Sequence, residues 1–212
     1  MSPLARGALT RDQVAAAALE LADTEGLDAL SMRVLAERLG VGTMTLYGYF
    51  ASKDELLDAV VDAAVSDREP FVLEGTPREQ LRGVVMDAHR SLLRHPSLVE
   101  LRARRPVLRP EALRFAEAIL SILVAAGLDR AEAARGFRLL FTYTFGFAAL
   151  SPGEVTEEHR RAARAALSEL SSNEYPSLAG AIDEASDAMG GEEAFQYGLD
   201  RILDGLDARM SD

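Results

Sequence analysis

The side chains that most often carry catalysis occur in this chain, but not in catalytic company. His89, His95 and His159 stand at spacings that form no metal-ligand pattern. No GxSxG elbow, P-loop or GxGxxG turn occurs. Cysteine is absent, which removes disulfides, zinc fingers, iron–sulfur clusters and thiol catalysis together. The 34 carboxylates decorate helical faces at charge-pattern spacing. No catalytic residue, metal or cofactor is therefore expected. Residues 42–53 offer a different chemistry. Gly42, Thr43, Met44, Thr45, Tyr47 and Tyr49 gather hydroxyls and small groups in one short stretch, and Lys53, the only lysine of the chain, follows them. Such a set suits recognition by hydrogen bonds.

The elements that must position these residues are helices. The chain has 212 residues, 48% hydrophobic and 27% charged, which is ordinary for a globular protein of one large or two small domains. It is rich in alanine and lacks tryptophan, and no strand pattern is visible. No apolar run approaches the roughly 18 residues of a membrane helix. Met1 to Gly7 lacks a signal core, so a cytoplasmic protein with no membrane partner is expected.

Helix punctuation is legible. Thr10 and Gln13 form a capping box, and Val14, Ala17, Ala18, Leu21 and Ala22 repeat at helical spacing up to Gly26, so a helix is expected over Arg11–Glu25. Ser31 caps a second, through Arg38, and Gly40 ends it. A third runs from Thr43 to Tyr49. Ser52 and Glu55 cap a fourth, with the apolar stripe Leu56, Leu57, Val60, Val61 and Ala64. The composition shift at Ser66–Pro70 marks a boundary or hinge. Thr76-Pro77-Arg78-Glu79 opens a helix that His95-Pro96 breaks, and Ser97 to Ala103 forms a short one. Pro110 to Gly127 and Asp129 to Leu150 bound two more. Another starts at Thr156 and is interrupted at Ser171–Pro176, with a further short helix after it, and the last covers Glu192–Arg209.

Two short helices joined by about four residues that include glycine make a helix-turn-helix. The surrounding residues make the pattern specific. Gly26-Leu27-Asp28-Ala29-Leu30-Ser31-Met32-Arg33-Val34-Leu35-Ala36-Glu37-Arg38-Leu39-Gly40-Val41 resembles the first half of the DNA-binding domain of the tetracycline-repressor (TetR) family. Thr45-Leu46-Tyr47-Gly48-Tyr49-Phe50-Ala51-Ser52-Lys53-Asp54-Glu55-Leu56-Leu57 resembles its second half. Leu92-Leu93-Arg94-His95-Pro96 and Phe195-Gln196-Tyr197-Gly198-Leu199-Asp200-Arg201 carry a looser likeness to the ligand-binding and dimerisation domain of the same family. The resemblance implies an all-α protein. Residues 1–66 would form a three-helix helix-turn-helix DNA-binding domain, and residues 67–212 a larger helical domain for effector binding and dimerisation. It implies a one-component transcriptional regulator, most simply a ligand-releasable repressor, that binds a palindromic double-stranded DNA operator as a homodimer. The alternatives are a ligand-independent regulator or activator or, from other classes, a helical enzyme or a protein-interaction bundle.

Site residues follow from the resemblance and from the physics of a recognition helix, whose N-terminal end faces base edges. Gly42, Thr43 and Met44 supply that end. Thr43 can bond base edges, and Met44 can touch a thymine methyl. Thr45, Tyr47 and Tyr49 offer hydroxyls to phosphates, and Lys53 adds its ammonium to the free N–H groups at the start of the fourth helix. Arg33 resembles a family position that can reach a guanine. Two other roles stand beside these: Thr43 as a helix cap and Arg33 as a surface ion-pair partner. Phe50 is expected in the core. Gly48 stands where the family often carries a side chain.

In the second half, Phe137, Leu140, Phe147, Phe195, Leu199, Ile202, Leu203 and Leu206 lie on the helices whose family equivalents form a four-helix dimer interface. A pocket for an unidentified small-molecule effector is expected among Met86, His89, Leu93, Phe115, Ile119, Phe141, Thr144 and Phe145, each of which also suits a plain core. Arg102, Arg104, Arg105 and Arg109 read as a solvated or ion-paired loop, with attraction of an anionic ligand as their other role. The net charge of −11 opposes nucleic-acid binding at first sight. Residues 1–65 carry five cations against ten acids. Few phosphate contacts and reliance on two-fold symmetry are the expected consequence.

Overall fold

The computed structural model describes residues 9–66, 71, 73–104, 110–151 and 155–210. They form helices and no strands: α1 (Arg11–Glu25), α2 (Met32–Leu39), α3 (Thr43–Tyr47), α4 (Lys53–Ser66), α5 (Pro77–Arg94), α6 (Pro96–Arg104), α7 (Pro110–Ala125), α8 (Arg130–Leu150), α9 (Glu157–Ser168), α10 (Pro176–Ala179), α11 (Ile182–Asp187) and α12 (Glu192–Met210). No helix among the described residues is long and apolar enough to cross a membrane. The expected hinge residues 67–70 lie outside the described residues, as do Arg105 and Arg109.

Local signals set these boundaries. Thr10 accepts from the Gln13 N–H while the Gln13 side chain accepts from the Thr10 N–H, and Thr76 and Glu79 repeat the arrangement at the start of α5. Gly40 ends α2 in the left-handed conformation at φ 68°, which a side chain would disfavour. One alternative falls here and one expectation is corrected. The N-cap of α3 is Gly42, so Thr43 is the first helical residue and not the cap. The helix also stops at Tyr47, because the chain tightens: the Gly48 N–H donates to the Thr45 carbonyl and the Tyr49 N–H to the Leu46 carbonyl.

The described residues pack around two cores. The first joins α1 to α4 through Val14, Ala18, Leu21, Leu35, Leu46, Phe50, Leu56 and Val60, all fully or almost fully buried. The second joins α5, α7, α8 and α12 through Leu81, Val85, Ile119, Leu123, Leu140, Phe195, Leu199 and Leu203. Close approach of α12 to α8 depends on Gly198, where a Cβ would run into the hydroxyl and ring of Tyr143. That hydroxyl donates to the Phe195 carbonyl at 2.8 Å. Helices α9 to α11 form a satellite. α9 buries no residue, and its Arg164 is ion-paired to Asp183 at 3.3 Å and to Asp187 of α11.

The short helix α6 joins the two cores. Its Leu101 is buried in the first. The Asp23 carboxylate of α1 accepts from the Ser97 N–H at 3.2 Å, from the Ser97 hydroxyl at 2.6 Å, and pairs with His95 Nδ1 at 2.7 Å. One turn on, Glu100 accepts from the Leu27 N–H at 3.2 Å, and Arg104 reaches Asp28 at 2.8 Å. An α1 side chain thus caps α6, and α6 clasps the corner between α1 and α2.

Candidate nucleic-acid interface and internal cavity

The first core holds α3 by one buried side chain, Leu46, and leaves most of its surface open. Gly42, Met44, Thr45, Tyr47 and Gly48 are exposed, and Thr43 is half-buried. Met44 is 80% exposed and Tyr47 47%. A large apolar side chain that open to solvent gains little from folding. At the next turn of the surface, Lys53 is the first residue of α4 and is exposed. The Ser52 hydroxyl accepts from the Glu55 N–H at 3.1 Å, and the Glu55 carboxylate accepts from the Ala51 N–H at 2.7 Å. The Ala51 N–H, and then the Arg11 guanidinium, hold the Glu55 carboxyl below the usual carboxylate range.

Two of the expected DNA-facing residues, Tyr49 and Arg33, are committed within the chain to different degrees, as is the neighbouring cation Arg38. The Tyr49 hydroxyl donates to the Leu9 carbonyl, and the Tyr49 carbonyl accepts from Arg11 at 2.7 Å. Tyr49 therefore ties the residue before α1 to the end of α3, and its hydroxyl is already spent. Arg33 is ion-paired with Glu37 at 3.2 Å on an open helix surface, a contact weak enough to exchange. Arg38 is held by Glu20 and Glu25 at 3.0 and 2.9 Å. Lys53 forms no ion pair with a described residue. The open set facing away from the first core is thus Gly42, Thr43, Met44, Thr45, Tyr47 and Lys53. A short helix presenting hydroxyls and a methyl-bearing tip beside a helix start with a cation can bond base edges and clamp a phosphate.

A cavity of about 90 Å³ lies on the other side of α4. Val61 and Val65 of α4, Ala88, Ser91 and Leu92 of α5, Leu98 and Arg102 of α6, Phe115 of α7, and Phe141 and Phe145 of α8 line it. Of the eight residues expected there, Phe115, Phe141 and Phe145 are in place. The others are corrected by the structure. Ile119 and Met86 are buried in the second core, and the Thr144 hydroxyl is turned back to the Leu140 carbonyl at 2.7 Å. Leu93 points outward and is exposed. His89 is stacked on Phe195 with ring centroids 3.7 Å apart and meets the edge of Phe147. Burial pushes the His89 pKa below its ordinary value. Val61 of α4 was masked in the sequence by belonging to a stripe that also builds the first core. Ser91 did leave a signal, as a hydroxyl within the buried face of α5.

Helix α8 explains the mixture, because its residues form three faces. Ala133, Gly136, Leu140, Thr144 and Ala148 are buried in the protomer. Phe141 and Phe145 turn toward the cavity. Arg135, Arg138, Leu139 and Thr142 face outward. On α12, Tyr197, Arg201 and Gly205 do the same, and Leu139 and Tyr197 are 49% and 69% exposed. This corrects the expected dimer residues: Leu140, Phe195, Leu199 and Leu203 are wholly buried, and Leu206 nearly so, holding α8, α12 and their neighbours together. Phe137, Phe147 and Ile202 are partly buried against the same core. Hydrophobic periodicity reports burial, and burial inside a protomer produces the same stripe as burial between two.

Comparison with known proteins bears on this geometry. Residues 14–60 match the family model described as "Bacterial regulatory proteins, tetR family", and residues 69–210 match the one described as "Tetracyclin repressor-like, C-terminal domain". The chain is 35% identical to the HTH-type transcriptional repressor DrrR1 of Streptomyces coeruleorubidus, across 96% of this chain and 79% of that relative. It is 30% identical to the class A tetracycline repressor protein from transposon 1721 of Escherichia coli, across 95% and 92%. Among solved structures, Streptomyces coelicolor ActR in complex with actinorhodin is similar with a TM-score of 0.78 at 30% identity, covering 97% of this chain and 100% of that one.

Proposed function

The chain belongs to the TetR family of bacterial transcriptional regulators, and from that premise we propose that it is a cytoplasmic homodimeric repressor whose grip on a palindromic operator is released by a small molecule. The observation that carries the reading is the double use of α4. Its first residue, Lys53, flanks the open face of α3, while Val61 and Val65, about two and three turns on, form a wall of the cavity. A ligand that widens the cavity pushes on the helix that sets the position of α3. α6 does the same from the other side, since Leu98 and Arg102 line the cavity while Ser97 and Glu100 hold the α1–α2 corner. Two recognition helices must sit roughly 34–36 Å apart to enter successive major grooves, so a small tilt in each protomer is enough to lose the match. The coupling required is about 1–3 kcal/mol and acts reciprocally on ligand and operator affinity.

The dimer surface we assign is the outward face of α8 and α12, around Leu139, Tyr197 and Arg201. The shallow groove between these helices there is floored by Gly136 and Gly205. A second reading, a regulator without an inducer, draws on the size of the cavity, since pockets for drug-sized ligands usually span about 300–1,000 Å³. In the first reading Phe141 and Phe145, both half-buried, swing aside on binding.

Fluorescence anisotropy on the palindrome upstream of this gene tests the assignment. Thr45, Tyr47 and Lys53 changed together to alanine should weaken operator binding by about a hundredfold or more. Unchanged affinity in the triple variant removes α3 as the DNA-reading element.

A further inference from the structure

We propose that the cavity beside α4 takes a compact, flat aromatic ring that carries an oxygen, in its simplest form a phenol, with that oxygen on the Ser91 hydroxyl and the ring against Phe115, Phe141 and Phe145. This rests on the cavity being the effector site and names the chemistry that site selects. Three observations carry it. The first is what the other buried hydroxyls do. Ser97, Thr144 and Ser186 are buried like Ser91, and each spends its hydroxyl: Ser97 on the Asp23 carboxylate, Thr144 on the Leu140 carbonyl and Ser186 on the Ile182 carbonyl. Ser91 is 2% exposed, lines the cavity, and its Oγ has no hydrogen-bond partner. Folding has stripped that hydroxyl of water without replacing it, a cost that an oxygen entering the cavity removes. The second is position. Ser91 carries the only hydroxyl among the described lining residues, and eight of the other nine are apolar. A lone hydroxyl in such a wall fixes where the oxygen of a ligand sits. The other unpartnered buried atom, His89 Nδ1, belongs to a ring stacked on Phe195 outside this lining. The third is size and shape. The cavity volume of about 90 Å³ is below the roughly 150 Å³ of a dry cavity that holds benzene, so a single ring enters once the half-buried Phe141 and Phe145 give way slightly. Those two rings are stacked with centroids 4.4 Å apart at 23°. A flat ring extends that stack with its whole face, whereas a puckered one meets it only through its axial hydrogens.

The test uses the full-length protein and three probes of similar size, p-cresol, p-xylene and 4-methylcyclohexanol, titrated by calorimetry. p-Xylene puts a methyl group where p-cresol has its hydroxyl, and 4-methylcyclohexanol keeps the hydroxyl but is not flat. None is charged, so the charge of Arg102 does not enter the comparison. The wild type should bind p-cresol about fivefold or more tighter than 4-methylcyclohexanol. Ser91→Ala should lower the ratio of p-cresol to p-xylene affinity by about tenfold. A general loosening of the site would weaken both probes alike and leave that ratio unchanged. The ligand-free Ser91→Ala protein should melt at or above the wild-type temperature, since the change removes an unsatisfied group. An unchanged ratio in Ser91→Ala overturns the proposal. Equal binding of p-cresol and 4-methylcyclohexanol by the wild type, or the failure of p-cresol to bind, does the same. So does a lowered melting temperature of Ser91→Ala, which would show the hydroxyl to be bonded in the free protein. Operator binding by the wild type is measured alongside. Operator binding without p-cresol binding sinks the ligand class alone. Ser91-dependent p-cresol binding without operator binding sinks the regulator reading and upholds the ligand class.

Discussion

Lys53 occupies the first position of α4 with a hydroxyl cap behind it and no ion pair to a described residue. The other described cations of the first domain are engaged: Arg11 with Glu55 at 2.8 Å, Arg33 with Glu37, and Arg38 with Glu20 and Glu25. Lys53→Ala should therefore weaken operator binding and flatten the dependence of log affinity on log salt by about 1 per lost phosphate contact. Anisotropy titrations at several salt concentrations check this; an unchanged slope would mean that Lys53 touches no phosphate. His89 makes a prediction about acid. Its ring is buried against Phe195 and Phe147, its Nδ1 has no partner, and burial depresses its pKa. The unfolded chain therefore takes up the proton first as pH falls. Stability is full above the ordinary histidine pKa of about 6.5 and declines as pH drops below it toward the depressed folded value. The depressed carboxylates Asp28, Glu55, Glu79 and Glu192 lose their contributions only at lower pH, as they titrate below the ordinary carboxylate values of 3.8 to 4.5. In chemical denaturation between about pH 6.5 and 5, His89→Phe should show a smaller loss of stability than the wild type. Parallel curves would show that His89 does not titrate on unfolding.

Among the elements, α6 has the most concentrated role. It is nine residues long, yet one side bears Leu98 and Arg102 on the cavity and the other bears Ser97, Glu100 and Leu101 on the first domain. Its N-terminus has no capping residue of its own kind, because His95 precedes it and Pro96 opens it; Asp23 supplies the acceptor from α1. Asp23→Ala strips the acceptor from three donors at once, two of them part-buried on Ser97, and should cost about 1–3 kcal/mol in urea denaturation. Ser97→Ala should cost less, since His95 keeps its partner. Equal stability of Asp23→Ala and wild type would mean that the clasp is not maintained in solution. Gly48 bears on the neighbouring α3. A Cβ there would sit 3.1 Å from the Thr45 carbonyl, tight enough to disturb the turn that closes the helix. The missing side chain at this position is thus compatible with a helix that ends at Tyr47.

For the molecule as a whole, the charge of −11 excludes broad electrostatic attraction to DNA. Binding must come from a small local set of groups, doubled by symmetry. Dimerisation is then a condition of affinity, and the outward face of α8 and α12, where we propose the interface, is where a substitution can test it without touching a core. Leu139→Glu places like charges across a two-fold axis and should give a folded monomer in sedimentation velocity, with operator binding largely lost. Leu140→Ala, one residue on, should instead cost about 2–5 kcal/mol of fold stability, because that side chain is fully buried inside the protomer. If Leu139→Glu remains dimeric, the interface lies elsewhere.

The sequence by itself determined the helices and the open face of α3. Caps, prolines and glycines act within four residues, so Thr10, Ser31, Thr76 and Gly40 could be read directly, and α1 runs over Arg11–Glu25 as the spacing predicts. The exposed tip of α3 was legible because short polar residues beside one lysine have no structural use in a core. Which face of each long helix turns inward was decided only by the tertiary structure. Phe141, Leu140 and Leu139 are consecutive, yet they face the cavity, the core and the outside. All three are apolar, and a periodicity of 3.6 residues records that a face is buried without recording by what. The same reason hid the partners of Asp23 and Tyr49, 74 and 40 residues away at Ser97 and Leu9. Those contacts exist because helices far apart in the chain are adjacent in space, which no local signal encodes.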